Sequence, residues 1–276
     1  MDSLQTYSAV EYDVFYIDVG ESEEFEVEVE RTSMYRIIQK TLSSIVVLLT
    51  ENESRRTILK VNWSTSVSEA DSRGRIAADI ASRVVRTPRT LDRMLYRWES
   101  TYVMVVYREY IEGVSANHLW DLMSHEERLQ LASRVSRAVV RIAQHRSRTF
   151  GRIQGGCTRS ASAVQYVNNQ VFKLRMSGKL RMDDVFTPAE CDVGCEPTLC
   201  HGSLTLEHVI MKDGKFAGLV GWSKADYVPE IYDRHMYYFM SSPFKYGSWE
   251  YMMSRIPISS GLHALVFSVL HELALL

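Results

Sequence analysis

The order in which strand-like and helix-like hydrophobic patterns follow one another along this 276-residue chain constrains its fold more than any other feature. Val- and Ile-rich runs with polar breaks predict three antiparallel strands between residues 34 and 63. Strict alternation over residues 24–30 predicts an edge strand with a charged face in water. A helical period follows at 68–85, then a strand at 101–107, then mainly helical patterns. This order predicts an α+β fold with a β-rich first part and a mainly helical second part.

Two segments of the second part carry clear helix signals. Ser124 and Glu127 have the spacing of a capping box, which predicts that a helix begins there. The most apolar window, residues 262–276, predicts a buried C-terminal helix. The helix after Ser124 has one apolar stripe, formed by Leu129, Ala132, Val135, Val139, Ile142 and Ala143.

The composition favours a cytoplasmic protein without a membrane partner. No stretch offers about 18 uninterrupted apolar residues, so we expect no membrane span. Residues 1–20 lack the basic and apolar regions of a secretory signal. Four cysteines in a chain of this length do not form a disulfide scaffold, which favours a reducing compartment.

Charge is distributed unevenly along the chain. Residues 1–30 hold ten acidic residues and no Lys or Arg, whereas the run 73–97 contains seven arginines. A nucleic-acid-binding protein would use such a run as a phosphate-binding stripe. The overall pI near 6.5 instead favours a solvated helix face that the acidic N-terminus compensates. We therefore expect no nucleic-acid partner.

One segment resembles a known catalytic loop. It reads Cys200-His201-Gly202-Ser203-Leu204-Thr205-Leu206-Glu207-His208-Val209-Ile210, and Gly221-Trp222 follows thirteen residues after His208. With residues 109–113, 150–153 and 225–230, it resembles the aminoglycoside phosphotransferase and choline-kinase-like family, especially the fungal branch. The family pattern reads H-G-D-L-H-x-x-N, followed after a short hairpin by I-D-W.

The resemblance implies a two-lobed protein-kinase-like α+β fold. It assigns residues 1–112 to a β-rich N-lobe that ends in a hinge at 109–113. Residues 113–276 would form a helical C-lobe that carries the loop 200–210 and the metal-loop position 221.

Four positions depart from the family pattern: Thr205 replaces its second His, and the other three bear directly on the chemistry. Ser203 replaces the Asp that takes the acceptor's proton, and a hydroxyl is a poor base; losing a positioned base costs about 10²–10⁴-fold. His208 and Gly221 replace the Asn and Asp that hold magnesium, which prefers carboxylate oxygens. The sequence therefore predicts that phosphotransfer is lost, that no metal is bound at this site, and that ATP with magnesium is disfavoured. Asp226 is the obvious local acid for the third alternative, a weak phosphotransferase with relocated carboxylates.

The resemblance also assigns a vestigial nucleotide site. Lys60 fits the strand lysine, and Glu69, with Asp71 as its rival, fits the helix acid that orients it. Glu109 and Ile111 would contact a nucleotide at the hinge. Residues 39–45 contain no glycine that would let the backbone approach phosphates, which makes ATP binding less favourable.

A zinc site is the alternative for the cysteines near the loop. Cys191, Cys195, Cys200 and His201 are close in sequence, but their spacing differs from the C-x2-C pairs of common zinc modules. Small cysteines before the loop are typical of ordinary core packing, which we favour.

Two functional hypotheses follow. The first is a degenerate kinase-like protein that binds a small molecule or a partner protein through the inter-lobe or acceptor cleft. The second is a non-phosphoryl enzyme of the cyclase, isomerase or lyase type in fungal specialised metabolism. For the second, His208, Glu207 and Lys60 are the candidates that carry the chemistry. The catalytic residues at the loop would be His208, Glu207 and Ser203, because His208 adds an acid–base group beside Glu207 and near Ser203.

Overall fold

The computed structural model describes residues 12–20, 23–30, 34–41, 43–52, 55–64, 67–98, 101–151, 153, 162, 165–166 and 196–229. The predicted helix at 262–276 and the candidate zinc ligands Cys191 and Cys195 lie outside these residues. The chain divides into two compact units. The first comprises residues 1–68 and 90–110, and the second comprises residues 69–89 and 111–276.

The first unit contains two antiparallel sheets. Strands β1 (Tyr12–Gly20) and β2 (Glu23–Glu30) form a two-stranded sheet. A five-stranded sheet has the order β3-β4-β5-β7-β6. Its strands are β3 (Met34–Thr41), β4 (Ser44–Asn52), β5 (Arg55–Ser64), β6 (Thr90–Trp98) and β7 (Thr101–Glu109).

Strand β5 shows why the central strands form. Leu59, Val61 and Trp63 alternate with less buried residues and face the core of the first unit, as a period of two requires. Lys60 is half-buried on the opposite face, paired in register with Val46 and Val106. The same core includes Ile45, Val47, Leu49, Val103 and Val105.

The predicted strands at 24–30, within 34–63 and at 101–107 are confirmed. The interpretation of the arginine run 73–97 as one helix face is wrong, because Arg93 and Arg97 lie on β6. The hydrophobic pattern of residues 90–98 does not predict this strand, and the reason is physical. It is an edge strand whose large apolar residues Leu91, Leu95 and Tyr96 are exposed, so it lacks the alternation of a half-buried strand.

Helix α1 (Val67–Ala81) confirms the predicted helix at 68–85 but ends earlier. The amides of Val84 and Val85 turn back to the Ala81 carbonyl, and the Thr87 hydroxyl donates to the Ala78 carbonyl. These bonds satisfy carbonyls that a helix end leaves without partners. From residue 69 onward, α1 groups with the second unit, whereas the predicted division at residue 112 assigned it to the first.

The remaining elements of the second unit that the structure describes are short strands, two helices and three 3-10 turns. Strand β8 (Val114–Ser115) leads into α2 (Ala116–Leu119), and α3 (His125–Ile142) follows. Two small antiparallel sheets have the orders β11-β10-β8 and β12-β9. Their other strands are β9 (Pro197–Cys200), β10 (Val209–Lys212), β11 (Lys215–Leu219) and β12 (Asp226–Pro229).

The core of the second unit joins the helices to the segment around residue 200. Its buried residues come from the three helices, from the short strands β9, β10 and β11, and from the turns between these elements. They include Ala77, Ala81, Trp120, Val135, Leu199, Leu204, Leu219 and Trp222. Among the helices that the structure describes, none combines the length and the apolarity needed to cross a membrane.

The predicted capping box is present. The Ser124 hydroxyl accepts a bond from the Glu127 amide at 3.3 Å, and the Glu127 carboxylate accepts one from the Ser124 amide at 2.7 Å. Two amides at the start of α3 are thereby satisfied, which is the reason the helix begins there.

Replacing the cap gives the first testable prediction. Ser124→Ala is expected to lower the free energy of unfolding by about 1 kcal/mol, because an amide of the first turn loses its acceptor. Urea unfolding measures the change. Ser133→Ala, at an exposed position in the same helix, is the matched control and should cost less. Equal losses in the two variants would contradict a capping role.

Candidate functional site

The candidate site begins with His201, directly after β9. Its side chain is only 1% exposed, and its ring centroid lies 4.4 Å from that of Trp222. Its Nε2 lies 2.8 Å from the Val220 carbonyl oxygen. Because a carbonyl oxygen only accepts, Nε2 carries the proton. Burial, together with the nearby His208, lowers the pKa of His201 to about 3. His201 is therefore a neutral residue that braces the loop.

Gly202 brings the loop against a second turn. Its φ of +78° lies in the left-handed region, and a Cβ there would lie 2.1 Å from the Lys224 carbonyl oxygen. A backbone atom at that distance leaves no room for any side chain. The loop 201–208 is therefore in direct contact with the 3-10 turn Trp222–Lys224.

Ser203, the first of the predicted catalytic residues, is directed into the protein. It is 5% exposed, and its hydroxyl donates to the Gly221 carbonyl at 3.4 Å. Its own carbonyl accepts a bond from the Thr205 amide at 2.9 Å. The side chain thus contacts the residue at the position that the resemblance assigns to a metal-binding carboxylate.

His208 ends the 3-10 turn Leu206–His208 and is partly buried. Its Nδ1 lies 2.5 Å from the Ser203 carbonyl oxygen and 3.3 Å from the Thr205 hydroxyl. Because a carbonyl oxygen only accepts, Nδ1 is the donor in its contact with Ser203. The His208 carbonyl also accepts a bond from the Val220 amide at 3.0 Å. Both the ring and the backbone of His208 are positioned by these contacts.

Gly221 lies directly against the His208 ring. Gly221 has a φ of +85°, and a Cβ on it would lie 2.2 Å from Cδ2 and 2.5 Å from Nε2 of His208. The imidazole therefore fills the volume that a side chain at position 221 would need. Since a bare Cα supplies no oxygen and hard magnesium binds oxygen ligands, the residues present do not fit a magnesium ion. Within the described part of the chain, no group of three His, Cys, Asp or Glu residues could hold a metal.

Helix α1 supports the turn that follows Gly221. The Arg73 guanidinium Nε donates to the Ser223 carbonyl at 3.1 Å. A Cβ on Gly74 would lie 3.1 Å from the Trp222 carbonyl carbon, so the helix backbone approaches the turn closely. Neither Arg73 nor Gly74 carries a sequence signal that marks it as part of the site. The helical period indicates which face of α1 is apolar, but it carries no signal for the partner of that face.

The other predicted site residues lie on several elements of the two units. Glu207 is exposed. Lys60 lies on β5, and Glu109 ends β7 opposite Thr57. Ile111 is buried in the second unit. Glu69 lies on α1, and its side chain is outside the described residues. The nucleotide-site roles of these residues stay predictions.

Two further residues of the resemblance have structural contacts. Asp226, the candidate relocated acid, accepts a bond from the Tyr227 amide at 2.9 Å. Cys200 is buried in β9, opposite Asp226 in register. The Gly151 amide donates to the Tyr227 carbonyl at 2.8 Å, which joins two segments that carried the resemblance.

Comparisons with known proteins give a consistent result. The model of the phosphotransferase enzyme family matches residues 35–246. A thermostable mutant of aminoglycoside phosphotransferase APH(4)-Ia, apo form, has a TM-score of 0.63 at 15% identity, covering 88% of this chain and 84% of that one. Another mutant of that enzyme, in a ternary complex with ADP and hygromycin B, has a TM-score of 0.61 at 18% identity, over 87% and 83%.

A third solved structure agrees with the first two. APH(3'')-Id from Streptomyces rimosus has a TM-score of 0.56 at 14% identity, covering 87% of this chain and 92% of that one. No curated protein sequence matches significantly. These similarities confirm the predicted kinase-like α+β fold and the resemblance on which it rested. Identities this low carry the fold alone.

Proposed function

Because the chain belongs to the phosphotransferase enzyme family, we propose that it is a kinase-like protein that has lost phosphotransfer and binds a small molecule. The observation that carries the proposal is the mutual contact of Ser203, His208 and Gly221. The Ser203 hydroxyl donates to the Gly221 carbonyl, the Ser203 carbonyl accepts from His208, and the His208 ring covers Gly221. Three positions that the resemblance assigns to catalysis thus contact one another.

Phosphoryl transfer depends on positioning and on charge neutralisation. Ser203 has no negative charge with which to accept a proton, and its hydroxyl is buried against Gly221. Losing a positioned base costs about 10²–10⁴-fold. The loss of magnesium ligands at positions 208 and 221 removes the main neutralising charge as well. Together these losses favour a binding protein over a phosphotransferase.

A small-molecule ligand is the class that the fold supports. One relative with this fold is recorded in a ternary complex with ADP and hygromycin B. The loop 201–208 of our chain is held by the His201–Val220 bond and by the close approach of Gly202 to Lys224. A segment held in this way is suited to binding, because little conformational entropy remains to be lost. The non-phosphoryl enzyme and the phosphotransferase with relocated carboxylates stay predictions.

Nucleotide titration tests the loss of phosphotransfer. Isothermal titration calorimetry with ADP and a non-hydrolysable ATP analogue, with and without magnesium, should show no magnesium-dependent binding. Turnover assays with ATP and magnesium should show no transfer to aminoglycosides or choline, because neither the base nor the metal ligands are present. Magnesium-dependent binding or measurable transfer to any of these acceptors would overturn the proposal.

A restored variant provides the control. Ser203→Asp, His208→Asn and Gly221→Asp should be combined in one chain, since each position contacts another. Gain of magnesium-dependent nucleotide binding only in the triple variant would locate the loss at these positions.

The small-molecule part of the proposal has its own test. Thermal unfolding is measured against a panel of aminoglycosides and other hydroxylated amines, for the native chain and for His208→Ala. At least one compound should raise the midpoint of the native chain and raise that of the variant less. A panel that leaves the native midpoint unchanged counts against this ligand class.

A further inference from the structure

The His208 ring and the bare Cα of Gly221 are complementary in shape. A Cβ at position 221 would meet Cδ2, Nε2 and Cγ of the ring at 2.2, 2.5 and 2.9 Å. Real side chains do not approach so closely, so one of the two groups would have to move. A side chain at 221 and an imidazole at 208 therefore exclude each other in this geometry.

The ring has little freedom to move away. Its Nδ1 donates to the Ser203 carbonyl, and its centroid lies 5.5 Å from that of His201. His201 is itself fixed between the Val220 carbonyl and Trp222. Displacing the imidazole breaks the bond to Ser203 and disturbs a buried ring contact. The cost of a side chain at 221 thus includes the cost of releasing His208.

We infer that the His208–Gly221 contact occupies the position of a metal-binding carboxylate, so that the site binds its ligand without a divalent cation. For the ligand, the inference rests on the proposed function; the steric contact does not depend on it. The missing magnesium site is therefore filled by a protein side chain and is not an open vacancy for a cation.

The inference narrows the class of ligand. A magnesium–nucleotide complex carries a polyphosphate whose charge needs neutralising. Between residues 200 and 224 the lysines are Lys212, Lys215 and Lys224, and all three are exposed. Lys212 is also paired with Glu112. The segment itself therefore offers no buried lysine, and the ligand class that the His208–Gly221 contact favours is a small molecule that carries no divalent cation.

A double-mutant cycle tests the steric contact. Gly221→Ala is compared in the native chain and in His208→Ala by urea unfolding. The left-handed φ penalises alanine in both backgrounds, so the difference between them reports the contact with the ring. We expect Gly221→Ala to reduce the folding equilibrium constant at least about tenfold more in the native background. If Gly221→Ala alone fails to fold but the double variant with His208→Ala folds, the contact with the ring is supported even more strongly. Equal effects in both backgrounds contradict the contact.

Manganese binding tests the exclusion of the cation. Paramagnetic resonance of Mn²⁺ is measured with the native chain, with Gly221→Asp, and with His208→Asn combined with Gly221→Asp. The combined variant should bind Mn²⁺ at least about tenfold more tightly than the other two. Binding of equal strength by the native chain overturns the inference. If both alanine variants of the cycle are unfolded, this measurement decides.

The outcomes separate the two proposals. Coupling in the cycle together with phosphate transfer by the native chain would refute the proposed function and leave the steric contact standing. Additive effects together with an absence of nucleotide binding would refute the contact and leave the loss of phosphotransfer standing.

Discussion

Trp222→Ala is expected to lower the free energy of unfolding by about 3–5 kcal/mol, the range for removing a fully buried aromatic side chain. Trp222 is 0% exposed and belongs to the core of the second unit. Its ring lies against His201, and its Nε1 donates to the Leu219 carbonyl at 3.2 Å. The cavity would open at the turn Trp222–Lys224, which α1 supports, and next to His201 of the loop 201–208. Chemical unfolding followed by circular dichroism measures the loss.

Two further variants show how much of the stability lost in Trp222→Ala comes from the buried ring. Trp222→Phe keeps most of the ring volume but removes the donor to Leu219, so its cost should be smaller than that of alanine. Leu122→Ala removes a large apolar side chain that is 82% exposed and should change stability within about 0.5 kcal/mol. A cost below about 1 kcal/mol for Trp222→Ala would show that the ring is not part of a packed core.

Stability is expected to fall as the pH is lowered from about 6.5 toward 3, because His201 must stay neutral in the folded protein. Burial lowers its pKa from 6.5 to about 3. Between these values the unfolded chain binds the proton and the folded chain does not, so acid favours unfolding. The limiting slope for one histidine is about 1.4 kcal/mol per pH unit. Below the folded pKa this contribution no longer changes.

Urea unfolding at several pH values measures this slope. His201→Gln should reduce it, because the variant has no imidazole to protonate in the unfolded state. His118→Gln removes an exposed histidine and is the matched control. The protonation of His201 can also be followed directly in the folded native chain by NMR. If the His201 imidazole titrated near pH 6.5 in the folded protein, its assignment as a buried neutral group would be wrong.

Local patterns predicted the elements whose signals lie within a few residues. The capping box at Ser124 and Glu127 needs only two side chains three residues apart. The alternation of β5 needs only one buried face, as Leu59 and Val61 show. Strand β6 was missed because its apolar side chains are exposed at a sheet edge. Where burial does not select one face, hydrophobic periodicity carries no strand signal.

At the candidate site, too, the sequence indicated residue identities but not tertiary contacts. The resemblance implied that Ser203, His208 and Gly221 stand at positions that the family uses for catalysis. It did not indicate that these residues contact one another. Nor did it indicate that Arg73 and Gly74 of α1 would support the turn after Gly221. Such contacts depend on backbone angles and packing that no short pattern encodes.

The sequence by itself therefore determined the class of fold, the start of α3 and the lack of a carboxylate at positions 203 and 221. Each of these rests on residue identity or on a period of a few residues. Only the tertiary structure decided that the His208 imidazole fills the space above Gly221. That outcome requires the left-handed φ of Gly221 and the Nδ1 bond to Ser203 together. The physical reason is that steric exclusion between residues thirteen positions apart exists only once the chain has folded.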